Sequence, residues 1–248
     1  MDYRARQQAL RTNLDAAGAD ALLVSHLPNL RYLTGFTGSN GLLLLEQSRA
    51  TLFTDGRYRE QARHEVEAAR VVVPAQGDLW KAAAIRAKKL RRLALESERV
   101  TLAQRDRFLR HWPAGARGLK SATGWVEALR RIKAPQEVAA IRRAVELAAG
   151  IFPATLAQMR PGMPETAVAG IVEHALRQAG GEGLAFETIV AAGERGALVH
   201  GRPSSAKLPR RGFVVMDYGV ILGGYVSDMT RTVHLGPPGG RARNVYAA

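Results

Sequence analysis

Along the first 128 residues, segments with a helical repeat of apolar positions alternate with short, unbroken apolar runs. The helical repeat covers residues 3–17 and ends at Gly18, where glycine is expected to stop a helix. Apolar runs bounded by polar or glycine-containing segments predict buried strands at 20–25, 41–47, 49–58, 70–73 and 93–97. Further helices are predicted at 57–69 and 79–93. This alternation predicts an α/β domain over residues 1–128.

A second domain is predicted over residues 129–248. Pro135 stands at a suitable helix start and is followed by a long helical repeat of apolar positions. A second helix begins with Pro164 and Glu165 in its first turn and stops at two glycines, 180–181. From Phe186 onward, β-rich runs replace the helical repeat.

Composition limits the class of protein and the kinds of site. Hydrophobic residues make up 46% of the chain and charged residues 23%, which is typical of a soluble globular protein. The chain contains no cysteine, so a metal would have to be held by carboxylates and imidazoles. No apolar run approaches the roughly 20 residues of a membrane helix, and the charged N-terminus lacks the apolar core of a secretory signal. We therefore expect a cytoplasmic protein with no membrane partner.

The formal net charge is +14, from 36 basic and 22 acidic residues. Such a charge suits an anionic partner such as nucleic acid. The basic residues are nevertheless dispersed, and no aromatic residues alternate with the basic clusters at 86–92, 130–133 and 210–211. We therefore do not expect nucleic acid to be the main partner.

Two aspartates mark the candidate site. Two β-rich runs flank residues 221–224, whose paired glycines predict a hairpin turn. If Leu222 and Gly223 form the loop, Asp217 lies directly opposite Asp228, with Cβ atoms about 5 Å apart. Like charges in that position are destabilising unless a cation lies between them. The oxygen donors favour manganese, cobalt or zinc over copper, whereas an aspartate at a strand end is more often simply exposed to solvent.

The sequence around these aspartates resembles a known family. MDYGVILGGYVSDMTRT resembles the first metal-ligand motif of the pita-bread metallopeptidases, which include aminopeptidase P, prolidase, creatinase and methionine aminopeptidase. Eleven positions separate the two aspartates, as in that family. LTGFTGSNG at 33–41 and LFTDGRYREQA at 52–62 resemble the creatinase-type N-terminal domain, and RRIKAPQEVAAIRRA resembles the junction between domains. The resemblance implies a creatinase-like N-terminal domain, followed by the first half of an α+β pita-bread catalytic domain.

The resemblance also implies an Xaa-Pro peptidase of the aminopeptidase P or prolidase type, which hydrolyses the bond preceding proline with two divalent metal ions. It makes Asp217 and Asp228 metal ligands, and it places His200 in the substrate site as a hydrogen-bond donor. Tyr225 and Arg231 are expected to bind substrate or to orient the ligands. Manganese is the expected metal, with cobalt and zinc as alternatives. The partners implied are a proline-containing peptide and a second copy of the chain in a homodimer.

The family site resembles Asp, Asp, His, Glu, Glu, and its last three ligands lie well beyond the second aspartate. The chain ends 20 residues after Asp228, and His234 is in the wrong place for the family histidine. Because two carboxylates form a weak site, we expect weak or absent metal binding and no peptidase activity in this chain. We therefore expect the sequence to be a truncated form, a fragment or an incomplete gene product.

Two alternative functions remain open from the sequence. Relatives with the pita-bread fold that lack metals bind proteins or nucleic acid, and the net charge agrees with such a non-enzymatic binding protein. The two aspartates and His200 argue against it, because a binding protein does not need opposed carboxylates. Amidinohydrolase chemistry of the creatinase type uses the same fold without metal, and the same aspartates make it the least favoured function.

Overall fold

A computed structural model describes residues 1–247 of the chain. The chain divides into two compact units, one of residues 1–132 and one beginning at residue 133. Each unit has its own apolar core, and each is described separately below.

The first unit contains six helices and six strands within the described residues. In chain order they are α1 (Tyr3–Ala17), β1 (Ala21–Val24), α2 (Leu27–Thr34), β2 (Gly41–Glu46), β3 (Ala50–Thr54), α3 (Arg59–Glu65), β4 (Arg70–Val72), α4 (Leu79–Arg86), β5 (Leu93–Leu95), α5 (Leu102–Leu109), β6 (Leu119–Ser121) and α6 (Trp125–Arg131). The domain boundary predicted at 128/129 falls inside α6.

The strands form one sheet in the order β4-β3-β2-β1-β5-β6. β1, β5 and β6 run parallel to one another, whereas β2 is antiparallel to both β1 and β3. Alternate residues of β1 face opposite sides of the sheet. Leu22 and Val24 pack with α1, α2 and α6, while Ala21 and Leu23 pack with α4 and α5. Helices therefore cover both faces, which explains why these strands are continuous apolar runs.

Helix α1 has the boundaries that the sequence predicts. The carboxylate of Asp2 accepts a hydrogen bond from the Ala5 N–H, which satisfies one of the unpaired donors at the helix start. Gly18 has a φ of 59°, and its N–H donates to the carbonyls of Leu14 and Asp15. This left-handed cap requires glycine or a residue that tolerates a positive φ.

Helix α4 is shorter than predicted. The sequence predicts a helix over residues 79–93, whereas α4 ends at Arg86. The N–H groups of Arg91 and Arg92 instead donate to the carboxylate of Asp20, at 2.6 and 2.9 Å. These hydrogen bonds hold Arg91 and Arg92 in the non-helical segment that leads into β5, so these two residues are not part of α4.

The second unit begins with two long helices and continues mainly with strands. In chain order its elements are α7 (Pro135–Gln158), α8 (Glu165–Gln178), β7 (Gly183–Leu184), β8 (Ile189–Ala192), β9 (Gly212–Tyr218), β10 (Val220–Leu222), β11 (Tyr225–Val226), β12 (Met229–Leu235) and α9 (Gly240–Ala247). Two three-stranded sheets form, in the orders β11-β10-β7 and β12-β9-β8.

One face of the β12-β9-β8 sheet packs against α7 and α8. Val214, Met216 and Tyr218 of β9 are completely buried in the cores that these helices share with the sheet. The intervening β9 residues, Val215 and Asp217, are only partly buried and belong to the opposite face. This alternation gives Asp217 a partly open environment.

Within residues 1–247, no helix combines the length and the apolar composition needed to cross a lipid bilayer.

Candidate metal centre

The hairpin that carries the predicted ligands turns at two glycines. Leu222 pairs with Tyr225, so Gly223 and Gly224 form a two-residue loop with φ values of 59° and 72°. Both N–H groups of this loop donate to the carboxylate of Glu182, at 2.8 and 3.1 Å. Positive φ at both loop residues is the geometry that glycine favours in tight hairpins. The loop therefore lies one residue later than the sequence analysis assumed.

This shift changes the relation between the two aspartates. Asp217 pairs with Thr230 across the ladder between β9 and β12, rather than with Asp228. Asp228 and Thr230 are both exposed, whereas Ser227, just before Asp228, and Met229, between the two, are buried. Alternate exposure along an extended segment places Asp228 on the same face as Thr230, and hence as Asp217. The prediction of directly opposed carboxylates was wrong, and the two side chains are diagonal neighbours.

The diagonal arrangement moderates the repulsion between the carboxylates. Side chains in diagonal positions are about 7–8 Å apart at the backbone, compared with about 5 Å for directly opposed ones. Asp217 is partly buried and accepts a hydrogen bond from the Thr230 hydroxyl at 2.9 Å. The Asp228 side chain is exposed, and its carboxylate forms no hydrogen bond or ion pair with any residue in the described range 1–247. Both carboxylates therefore keep oxygen atoms available for a ligand.

Gly219 allows the two segments that carry Asp217 and Asp228 to approach each other. A Cβ atom on Gly219 would lie 2.2 Å from the Ser227 carbonyl oxygen and 2.8 Å from the Ala185 side chain. Ser227 also binds Val220 twice, because its N–H donates to the Val220 carbonyl and its hydroxyl accepts from the Val220 N–H. The close contact at Gly219 and the bonds of Ser227 fix the spacing between Asp217 and Asp228.

The carboxylates of Asp217 and Asp228 have the right chemistry to bind a divalent ion, but two ligands are too few for a complete site. Carboxylate oxygens suit hard and borderline cations such as manganese. Among residues 1–247, however, no group of three or more histidine, aspartate or glutamate side chains could hold a metal ion. Within this described range, the hairpin therefore offers two carboxylates on one face with no third metal-ligating side chain beside them.

His200 lies in an exposed turn that follows the 3₁₀ helix of residues 193–197. The Gly201 N–H donates to the Leu198 carbonyl at 3.0 Å and closes this turn. The His200 side chain forms no hydrogen bond with any other described residue. Its ring is therefore free to contact a ligand.

A buried carboxylate anchors the segment that carries His200. Glu165, at the start of α8, is completely buried and accepts hydrogen bonds from Arg195 Nε at 3.0 and 3.1 Å. It also accepts from the Ala192 N–H at 2.9 Å, and from the Ser204 N–H and hydroxyl at 3.0 and 2.7 Å. Glu165 thus holds residues on both sides of His200. From the sequence alone, Glu165 is predicted only to lie in the first turn of a helix, where acidic residues are common.

Hydrogen bonding determines the charge state of Glu165. Burial by itself raises the pKa of this carboxyl, but the hydrogen bonds from Ser204, Ala192 and Arg195 outweigh burial and lower the pKa below its ordinary value. Glu165 is therefore ionised at neutral pH, and the charge-assisted bonds to Arg195 and Ser204 are strong.

Tyr225 and Arg231, the other predicted site residues, have different surroundings. The Tyr225 hydroxyl donates to Glu137 Oε1 at 2.9 Å and ties the hairpin to the first turn of α7. Arg231 is exposed, and its guanidinium donates to the Thr230 carbonyl at 2.8 Å. Because Arg231 follows Thr230 directly in β12, it belongs to the face opposite Asp217.

His234 is held by local contacts. Its Nδ1 lies 2.9 Å from the Gly236 carbonyl oxygen, and its ring meets Phe213 edge-on, with ring centres 5.0 Å apart. Phe213 is its direct partner across the β9–β12 ladder. These local contacts fix the orientation of the His234 ring.

Comparison with known proteins identifies the family. The Creatinase/Prolidase N-terminal domain family matches residues 6–132, and metallopeptidase family M24 matches residues 139–248. The uncharacterized peptidase YqhT of Bacillus subtilis is 32% identical over 241 residues, which cover 96% of this chain and 67% of that protein. The chain belongs to metallopeptidase family M24.

Solved M24 structures show the same fold. The Xaa-Pro dipeptidase from Bacillus anthracis has a TM-score of 0.93 and 31% identity, and the match covers 99% of this chain and 69% of that chain. The X-Pro aminopeptidase from Thermotoga maritima has a TM-score of 0.87 and 32% identity, over 93% of this chain and 66% of that chain. The predicted fold, a creatinase-type N-terminal domain followed by part of a pita-bread catalytic domain, is confirmed.

This M24 chain spans about two thirds of the length of the relatives that it matches. Membership of a metallopeptidase family implies divalent metal ions for the complete family site.

Proposed function

We propose that this chain belongs to an Xaa-Pro metallopeptidase of the aminopeptidase P or prolidase type, which hydrolyses the peptide bond preceding proline. The observation that carries the proposal is the hairpin, on which Asp217 and Asp228 lie on one face with unused carboxylate oxygens. The printed names of the two solved relatives, an Xaa-Pro dipeptidase and an X-Pro aminopeptidase, support the choice of substrate. The substrate class is a peptide with proline after the scissile bond.

Each site residue has a proposed role. Asp217 and Asp228 hold divalent metal, and the hydrogen bond from Thr230 orients the Asp217 carboxylate. Bound divalent ions supply a water of lowered pKa and polarise a carbonyl group. His200 donates a hydrogen bond to the substrate from its exposed turn. Tyr225 orients the hairpin through Glu137. Arg231 lies on the sheet face opposite Asp217 and is therefore not proposed to bind substrate at this site.

A polypeptide of these 248 residues is expected to be a poor enzyme. Two carboxylates bind a divalent ion weakly, and the described residues offer no third ligand beside them. Incubation of the purified polypeptide with Mn²⁺ and an Xaa-Pro dipeptide tests this expectation. No turnover above the metal-only rate is expected, whereas robust turnover would show that the two aspartates suffice.

A chimera tests the substrate class. Residues 1–248 are joined to the part of the Bacillus anthracis Xaa-Pro dipeptidase that this chain does not cover. We expect Mn²⁺-dependent hydrolysis of Xaa-Pro dipeptides, little hydrolysis of matched Xaa-Ala dipeptides, and loss of activity in the Asp217→Asn chimera. A folded chimera that is inactive, that cleaves both peptides equally or that tolerates Asp217→Asn would contradict the proposal.

The remaining proposals concern the assembly and the metal. Manganese is the proposed metal, and a homodimer in the cytoplasm is the proposed form of the protein, both by analogy with the family. Light scattering coupled to size-exclusion chromatography tests the homodimer. A mass of about 27 kDa at every concentration, equal to the 26.9 kDa of one chain, would contradict it.

A further inference from the structure

The first unit contains a cavity that the proposed peptidase function does not use. Its volume is about 480 Å³, which is within the range of small-molecule sites. It lies between α1 and the turn that joins β2 to β3. The lining residues are Arg4, Ala5, Gln7, Gln8, Arg11, Ser48, Arg49, Ala50 and Ala68.

The lining carries positive charge without a matching negative charge. Three of the lining residues are arginines, and none of those that the structure describes is aspartate or glutamate. The nearby carboxylate of Glu46 lies 3.0 Å from Arg49 Nε and 3.0 Å from Arg86, so one negative charge serves two guanidinium groups. The carboxylate of Asp15, one turn after Arg11, accepts a hydrogen bond from Gln47. The cavity therefore has an excess of cationic donors.

Arg4 and Arg11 differ in how they are held. The Arg4 side chain is exposed, and its guanidinium forms no hydrogen bond or ion pair with the rest of the described chain. Arg11 is partly buried, and its Nε donates to the Glu46 carbonyl at 3.1 Å. Burial lowers the pKa of the Arg11 guanidinium, because a partly desolvated cation without a paired anion is destabilised. An anion in the cavity would relieve that cost.

The inner wall of the cavity is held by hydrogen bonds from a buried glutamine. Gln7 is 2% exposed, and its Nε2 donates to the carbonyls of Leu33 and Ala68 at 3.0 and 3.2 Å. Ala68 has a φ of 59°, which is unusual for a residue with a Cβ atom. The hydrogen bond from Gln7 holds Ala68 in this strained conformation. The wall is thus built by contacts between distant parts of the chain.

We propose that this cavity binds a small multivalent oxyanion, such as a phosphate ester or a polycarboxylate. The planar guanidinium groups of Arg4, Arg11 and Arg49 suit the paired oxygens of such groups. Gln8 and Ser48, which also line the cavity, supply neutral hydrogen-bonding groups beside the cationic ones. The site is separate from the hairpin of Asp217 and Asp228, since all its lining residues belong to the first unit.

Titration of the 248-residue polypeptide with inorganic phosphate and with citrate tests the proposal. Binding is followed by backbone NMR at constant ionic strength, with sodium chloride as the reference salt. We expect shifts confined to residues 4–11, 48–50 and 68. Binding of phosphate alone would identify a phosphate site, binding of citrate alone a polycarboxylate site, and binding of both a site for either oxyanion.

Two variants and a matched control separate a site from general charge screening. Arg4→Gln removes a guanidinium without intramolecular contacts, and we expect it to weaken binding about fivefold to tenfold. Arg11→Gln is expected to weaken binding at least as much, although it also removes the bond to Glu46. Arg117→Gln removes the same charge from an exposed position outside the cavity and is expected to leave binding unchanged. Equal effects of Arg4→Gln and Arg117→Gln, equal shifts with chloride, or no binding of either oxyanion would overturn the proposal.

Discussion

Glu165 is completely buried at the start of α8, and its Oε2 lies 3.0 Å from Nε of Arg195. Arg195 in turn donates to the Arg202 carbonyl at 2.8 Å, on the other side of His200. With the bonds from Ser204 and Ala192, this pair closes the segment that carries His200 into a fixed loop. Glu165 therefore positions the segment that carries His200.

Removal of the Glu165 carboxylate should loosen this loop. Glu165→Ala removes the acceptor of the Ala192 and Ser204 N–H groups and the anionic partner of Arg195, and should lower the free energy of unfolding by about 1–3 kcal/mol. Hydrogen exchange of residues 193–204 measures the local effect. Glu187→Gln is the matched control, because the Glu187–Arg202 pair is exposed and should contribute about 0–1 kcal/mol. Unchanged exchange in Glu165→Ala would show that the loop is held by other contacts.

The ionised Glu165 also predicts a dependence of stability on pH. Its folded-state pKa lies below the ordinary value of 4.5, so its contribution is fully present above about pH 4.5. That contribution is lost as the pH falls through the lowered folded-state pKa. Urea unfolding from pH 6 downward should therefore show a loss of stability that is smaller in Glu165→Gln. An equal loss of stability in the parent and in Glu165→Gln as the pH falls would contradict the lowered pKa of Glu165.

Gly219 should not tolerate a side chain. In Gly219→Ala the Cβ atom would meet the Ser227 carbonyl oxygen at 2.2 Å, so the backbone between the two aspartates must shift. We expect a loss of about 1–3 kcal/mol in the free energy of unfolding, measured by urea denaturation. Gly170→Ala in α8 is the control, since no atom lies within 4 Å of its new Cβ and the helix should gain about 0.5–1 kcal/mol. Equal stability of the two variants would contradict the close approach.

Tyr218 should ionise only at high pH. It is completely buried, its hydroxyl donates to the Ala148 carbonyl at 2.9 Å, and burial raises its pKa from 10.0 to about 12. Because the folded state favours the neutral form, its contribution to stability is present below pH 10 and is lost as the pH rises towards about 12. In an alkaline titration followed by tyrosinate absorbance, the parent should show one component that ionises near pH 12, and Tyr218→Phe should lack it.

The same variant measures the hydrogen bond itself. Tyr218→Phe removes the donor to Ala148 and should lower the free energy of unfolding by about 1 kcal/mol at neutral pH. Tyr246→Phe alters an exposed tyrosine and should leave the stability unchanged. Identical alkaline titrations of the parent and Tyr218→Phe would show that the ring is not buried in solution.

Much of the first unit could be predicted from its apolar runs. β1 and β2 are buried on both faces, so their sequences are nearly continuous runs of leucine and valine and stand out. No element was predicted over residues 98–124, where α5 and β6 lie. α5 buries only Phe108 completely, and β6 has no buried residue. Elements that bury so little surface leave almost no periodic pattern in a sequence.

The register of the hairpin could not be predicted from periodicity. A turn at 222–223 and a turn at 223–224 both place a glycine in the loop, and they differ by one residue in the loop position. The structure selects 223–224 because both glycines then adopt a positive φ and both N–H groups reach Glu182, which is 41 residues away from Gly223. A contact so distant in sequence leaves no local signal. The role of Glu165 was missed for the same reason, since its partners are 27 to 39 residues away.

Mn²⁺ titration of the 248-residue polypeptide, followed by NMR, tests the assignment of Asp217 and Asp228 most directly, because the paramagnetic ion broadens the signals of nearby residues. The account predicts weak binding that first broadens the signals of residues 217, 228 and 230. It also predicts that the Asp217→Asn, Asp228→Asn double variant loses this broadening, while Glu146→Gln, at an exposed position in α7, retains it. Broadening that persists in the double variant, or that centres elsewhere in the chain, would contradict the assignment of these two aspartates as metal ligands.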